Sequence, residues 1–202
     1  MNASTRRFPK LILLLAIVAL LSAGVPVYAA APSTGASHAA ALVLRLAAAG
    51  RQAGQVWLNL TPGEQQEVIT DLTPTQVEVS VTNGPSGASP QACRWAQVEV
   101  YYTNIFHQKL VAYFQKINWC YNGSTVTSHT RIRWGETYAL FWQFKGNIGS
   151  RESGGNGHTY YEAWTQGEFA LCLPYVGCGQ YKYPWIDMTV RGNGSWSYTY
   201  GG

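Results

Sequence analysis

Two strand-like runs, "KLVAYFQKINWCY" (109–121) and "STVTSHTRIRW" (124–134), are separated by Asn122 and Gly123. Asn-Gly between extended runs is the strongest short-range hairpin signal: a type I′ turn needs positive φ at both central positions, and these residue types tolerate it. Such a hairpin commits the chain to antiparallel pairing and to a side-chain period of two. The same period recurs nearby. In "AQVEVYYTN" (96–104) it places Val98, Val100 and Tyr102 on one face and Gln97, Glu99, Tyr101 and Thr103 on the other. "YALFWQFKG" (138–146), "TYYEAWTQGEFALCL" (159–173) and "YPWIDMTVRG" (183–192) read as further strands, and "NGSWSYTY" (193–200) adds a second Asn-Gly turn. "NIGSRESGGNGH" (147–158) reads as a long polar, glycine-rich loop. Seven to nine short strands with regular turns predict a mainly β fold, an antiparallel β-sandwich or jelly roll, with residues 93–202 as its body.

The N-terminal part is of a different kind. Arg6, Arg7 and Lys10 precede an apolar run over 11–25 and a small-residue site ending at Ala29, which predicts a secretory signal peptide over 1–29. Residues 30–82 read as a helical segment followed by one strand, "QVEVSVT". "HAAALVLRLAAAGRQAG" is rich in helix formers and should stop at Gly54, and its apolar "LVLRLAAA" needs burial. Thr61, Pro62 and Glu64 form a capping box with proline at the first helical position. "NGPSGASPQ" within 83–92 has the composition of a linker.

Three of the 14 basic residues lie in the leader, which leaves 11 against 10 acidic ones. A chain so close to neutral lacks the electrostatic footprint of a nucleic-acid binder, and no basic cluster points to an anionic membrane surface. No second long apolar run follows the leader, so no membrane association is expected after cleavage.

The four cysteines, Cys93, Cys120, Cys172 and Cys178, are even in number in a chain marked for export, so disulfides are expected. Cys93–Cys120 would staple the start of the sheet domain to the hairpin, and Cys172–Cys178 would close "CLPYVGC". A structural zinc would need a CxxC pair, which is absent. A cysteine nucleophile would need a base; His129 on the next strand is the one candidate beside Cys120. No metal-ligand spacing, phosphate loop or GxSxG context occurs, and neither metal nor cofactor is expected.

Aromatic residues are 13% of the chain and charged ones only 12%, so aromatics must occupy surface as well as core. Tyr181, Tyr183 and Trp185 fall on one face if "YKYPW" is extended, and Pro184 suits a strand edge. Tyr160, Tyr161 and Trp164 follow the glycine-rich segment, and Tyr198 alternates with Tyr200. An exposed aromatic row of this kind is how a β-sandwich holds a sugar ring, and these six residues, 160, 161, 164, 181, 183 and 185, are the candidate binding set. A glycosidase would instead need two carboxylates across a cleft. Glu99, Glu136, Glu162 and Glu168 are the candidates, with Glu99 and Glu162 as a possible cross-strand pair.

"INWCYNGSTVTS", "WGETY", "GGNGHTYYEAWTQGEFALC" and "YPWIDMTVRGNGS", together with "LTPGEQQEVI", resemble a group of small secreted bacterial proteins, among them proteins of soil Chloroflexi. That resemblance implies secretion and a β-rich domain and supplies no catalytic residues. The function expected from the whole is a secreted, non-catalytic protein that binds a polysaccharide or cell-surface ligand. The alternatives are a jelly-roll glycoside hydrolase and a secreted protein-interaction or toxin-like protein.

Overall fold

A computed structural model describes residues 34–85, 92–174 and 176–202. The leader expected over 1–29 lies outside them. Among the described residues, nine strands form two antiparallel sheets, a β-sandwich with short helices before its first strand. The first sheet is β1 (Gln76–Pro85), β2 (Ala92–Thr103), β3 (Lys109–Tyr121) and β4 (Val126–Thr137), in that order. The second runs β5 (Trp142–Gly154), β6 (Tyr160–Leu173), β8 (Trp185–Arg191), β9 (Trp196–Gly201), with β7 (Gly177–Lys182) also on β6. Each sheet is a meander, and β3 lies over β8 while β4 lies over β5.

The period of two places the core as the sequence demands. Val98, Val100 and Tyr102 of β2 are buried, as are Ile186, Met188 and Val190 of β8. Fully burying each such aliphatic side chain stabilises the fold by about 1.5–3 kcal/mol. The strand expected at "QVEVSVT" is β1, paired along its length with β2 from Gln76↔Thr103 to Pro85↔Arg94. The linker expected over 83–92 is therefore not a boundary between units. Residues 83–85 and 92 belong to paired strands of one sheet, and 86–91 lie outside the described residues.

Among the described residues, three α-helices precede β1: α1 (Thr34–Ala48), α2 (Ala53–Leu58) and α3 (Pro62–Leu72). The capping box forms as read: the Glu64 amide donates to Thr61 Oγ1 at 3.2 Å and the Thr61 amide to Glu64 Oε2 at 2.8 Å. The helical stop does not fall at Gly54, which is buried inside α2. The break comes earlier, at Gly50, whose φ of +51° suits the residue without a Cβ, and a single 3-10 turn links α1 to α2. Leu42, Val43 and Leu46 of the "LVLRLAAA" stretch join one continuous apolar core with Trp57, Val68 and Leu72.

Hydrogen bonds tie the end of α3 to one end of the sandwich. The Leu72 carbonyl accepts from Trp142 Nε1 at 3.0 Å, the Asp71 carbonyl from Asn104 Nδ2 at 2.8 Å, and Thr73 Oγ1 from Gln180 Nε2 at 3.2 Å.

Both expected disulfides are present, Cys93–Cys120 across β2 and β3 and Cys172–Cys178 across β6 and β7. They exclude a cysteine nucleophile and a thiolate metal site and indicate an oxidising environment. Among the described residues, no helix is long and apolar enough to cross a membrane.

Two local expectations change. The Asn122-Gly123 hairpin exists, but its loop spans 122–125, and only Gly123 has positive φ. Asn122 Oδ1 accepts from the Ser124 and Thr125 amides at 3.0 and 2.8 Å, an Asx turn that replaces the two-residue type I′ turn. The expected loop at 147–158 is mostly strand, since β5 runs to Gly154. Its residues are polar and small because of what they face on each side of the sheet.

Candidate functional site

Antiparallel partners point to the same side of a sheet, so register assigns each face. Tyr161 pairs with Val190 and Ala163 with Met188, all buried, which makes this the inner side. The residues between them, Tyr160, Glu162, Trp164, Gln166 and Glu168, therefore project from the outer face of the second sheet. On the neighbouring line the outer residues are Trp185, Asp187, Thr189 and Arg191. β7 continues β8 without a change of register along β6, from Ala170↔Tyr181 and Phe169↔Lys182 to Gln166↔Trp185. Tyr181, Tyr183 and Trp185 are thus a single outward row. The Tyr181 and Tyr183 rings stack 6.4 Å apart and 8° from parallel, the spacing of alternate strand residues.

Five of the six candidate aromatics share this face. Tyr160, Tyr181 and Tyr183 are 38%, 44% and 43% exposed, and Trp164 and Trp185 are half-buried. The exception is Tyr161, which is 2% exposed on the inner side, because adjacent strand residues cannot share a face. Its ring stacks on His129 with centroids 3.9 Å apart, and its hydroxyl donates to Glu152 Oε2 at 2.8 Å. Burial first, then that hydrogen bond, push its pKa up.

Two glycines set the lie of the tryptophans. A Cβ at Gly149 of β5 would come within 2.6–2.8 Å of the Trp164 ring, and one at Gly201 of β9 within 2.7–2.8 Å of three Trp185 ring atoms. Each indole covers a neighbouring strand where a side chain is missing. The two lean apart, Trp164 toward β5 and Trp185 toward β9, and Asp187 and Gln166 lie between them. Sequence reading missed this, although "NIGS" and the terminal "YGG" contain the signal, a glycine inside a strand-like run.

Arg151 of β5 bridges the polar part of the face, with Nη2 3.8 Å from Glu162 Oε1 and 3.7 Å from Asp187 Oδ2. Burial, reinforced by Glu162, raises the Asp187 pKa, and Asp187 Oδ1 is buried without a partner among the described residues. The Glu99–Glu162 pair does not form. Glu99 projects from the outer face of the other sheet and is bound to Lys109, so the two carboxylates lie on opposite sides of the sandwich.

That other outer face is also aromatic, but its groups are occupied. Lys116 lies 4.6 Å over Trp95 and Lys109 4.1 Å over Tyr101; Trp134 stacks on Phe114 at 4.6 Å, and its Nε1 donates to Glu136. On the second sheet, among the described residues, no hydrogen bond is made by the hydroxyls of Tyr160, Tyr181 and Tyr183 or by the indole N–H of Trp164 and Trp185.

The face ends at three glycine-rich loops, 122–125, 155–159 and 192–195. Backbone hydrogen bonds join them: Gly123 N to Gly192 O at 2.9 Å, Gly192 N to Thr159 O at 2.8 Å, and Val126 N to His158 O at 2.8 Å. Between them opens a pocket of about 510 Å³ lined by Gly123, Ser124, Thr159, Tyr160, Thr189, Arg191 and Asn193. The polar groups are hydroxyls, an amide and one guanidinium, and Tyr160 supplies an aromatic wall. No cluster of metal-ligating side chains occurs among the described residues.

No family model, curated protein or solved structure matches the chain.

Proposed function

We propose that the protein is a secreted, non-catalytic binder of polysaccharide that lays a glycan chain along the outer face of the second sheet. The single observation that carries this reading is the outward row of Tyr181, Tyr183 and Trp185 with Trp164 beside it, each indole seated over a glycine. Sugar rings present C–H faces that pack on flat aromatics, and their hydroxyls take the polar groups between them. The exposed face of a sandwich is normally polar, so an aromatic row with unengaged polar tips is a binding patch. The leader, the disulfides and the near-neutral charge fit an extracellular polymer ligand.

A second reading has its own observation. Glu162 and Asp187 both approach Arg151 beside the tryptophans, and the raised Asp187 pKa suits a general acid. One experiment separates the two. The mature protein is incubated with insoluble polysaccharides, and both retention and released reducing sugar are measured. Retention without release is expected, with Trp185→Ala and Trp164→Ala each weakening it about tenfold. Release that Asp187→Asn abolishes would establish the hydrolase instead. Absence of both would overturn the glycan reading and leave a protein partner.

A further inference from the structure

We infer that the pocket at the end of this face selects a sugar bearing a carboxylate, with Arg191 as the residue that reads the charge. The inference rests on the glycan-binding reading and adds a ligand class to it. The outer face of the second sheet carries two arginines. Arg151 is neutralised, 3.8 Å from Glu162 and 3.7 Å from Asp187. Arg191 is exposed, lines the pocket and forms no ion pair among the described residues. Its Nη1 donates to Ser197 Oγ at 3.3 Å, which steadies the guanidinium and leaves most of its five N–H donors unused. A planar donor fork matches a carboxylate in bidentate geometry.

The rest of the pocket suits the remainder of such a sugar. Tyr160 pairs with Arg191 across β6 and β8 and offers a ring, while Ser124, Thr159 and Thr189 offer hydroxyls. The nearest acidic side chain in the register, Glu162, sits opposite Thr189 and turns toward Arg151. The backbone bonds among the three loops fix the walls before a ligand arrives, which lowers the ordering cost of binding. A pocket at one end of an aromatic row would hold a chain terminus or a charged branch while the row holds neutral rings.

The test compares binding of three carboxylated polymers, polygalacturonate, alginate and hyaluronan, with the same polymers after reduction of their carboxyl groups. The wild-type protein is expected to favour at least one acidic form by about tenfold at low salt, a preference that shrinks as ionic strength rises. Arg191→Gln should remove the preference, so that acidic and reduced polymers bind within about twofold of each other, and an unfolding midpoint close to that of the wild type shows that the variant is folded. Equal binding of acidic and reduced forms by the wild type would overturn the inference, as would a preference that survives in Arg191→Gln. Either result leaves the aromatic platform standing. Failure to bind any polymer, neutral glucans included, would remove the platform reading as well.

Discussion

The two halves of the sandwich interior are filled by opposite chemistry. Where β2 and β3 face β8, the space holds Val98, Val100, Ile117, Ile186, Met188 and Val190, all fully buried. Where β4 faces β5 and β6, it holds His129, Arg131 and Arg133 against the buried Thr165 and the exposed Ser150 and Glu152 at the rim. Arg131 has only 7% of its side chain exposed and makes four hydrogen bonds: Nε to Gln115 Oε1 at 2.9 Å, Nη1 to Ser150 Oγ at 3.1 Å and to Glu152 Oε1 at 2.7 Å, and Nη2 to the Trp164 carbonyl at 3.0 Å. Gln115, also buried, donates to the Ala163 carbonyl at 2.8 Å. Apolar packing tolerates many equivalent fillings, but the buried members of a polar network, here Arg131 and Gln115, must each find a partner. The polar half therefore fixes how β4 and β5 align, and with them Gly149 and Arg151 of the outer face.

That contrast can be broken most forcefully at Arg131. Arg131→Ala would leave the buried Gln115 Oε1 and the Trp164 carbonyl without their charged donor, at about 1.5–3 kcal/mol each, and is expected to cost about 4 kcal/mol in chemical denaturation. Ile186→Ala, in the apolar half, is expected to cost about 3 kcal/mol through lost burial and the cavity left behind. If Arg131→Ala were the milder change, water would be replacing the guanidinium, and the polar half would be a solvated crevice.

Acid sharpens the comparison further. Hydrogen bonds from Tyr161 first, then Arg131, hold the Glu152 pKa below the ordinary carboxylate value of 4.5. A depressed carboxylate contributes stability that is present above 4.5 and is lost as pH falls through the folded value. Glu152→Gln should flatten that acid limb of the stability–pH curve, whereas Ile186→Ala should shift the whole curve down without changing its slope. The smallest effect is expected at Ile132, which is 53% exposed: Ile132→Thr should change stability by less than about 0.5 kcal/mol. A cost above about 2 kcal/mol there would mean that β4 is turned the other way.

β4 also marks the limit of what alternation reveals. In "HTRIRW" the apolar residues are Ile132 and Trp134, and a rule that sends apolar residues inward would bury them. Pairing with β3 does the reverse: Arg131 lies opposite buried Ile117, and His129 opposite buried Trp119. Register belongs to the strand pair, and the better-determined apolar strand imposes it on its neighbour. Where a strand is apolar on one side only, as at β2 and β8, the faces are legible directly. For the same reason the row of Tyr181, Tyr183 and Trp185 was legible, since it needed only an extended backbone. Tyr161 was not, because grouping it with Tyr160 by proximity in sequence ignores the period of two. The pocket was least legible, as its walls come from three loops far apart in the chain, and only the pairing of β6 with β8 and the packing of the first sheet on the second bring them together.

Those loops have a consequence for how the molecule ages. Asn-Gly is the dipeptide most prone to deamidation, because the glycine amide nitrogen attacks the asparagine side chain to form a succinimide. The loop cluster contains three such steps, at Asn122, Asn156 and Asn193. In each, the attacking nitrogen is engaged: Gly123 N donates to the Gly192 carbonyl at 2.9 Å, Gly157 N to Val126 at 2.8 Å and Gly194 N to Arg191 at 2.9 Å. The hydrogen bonds that shape the pocket thus also restrain its chemical decay. Mass spectrometry of aged samples should find isoaspartate at these sites slowly in the native protein and quickly once it is unfolded.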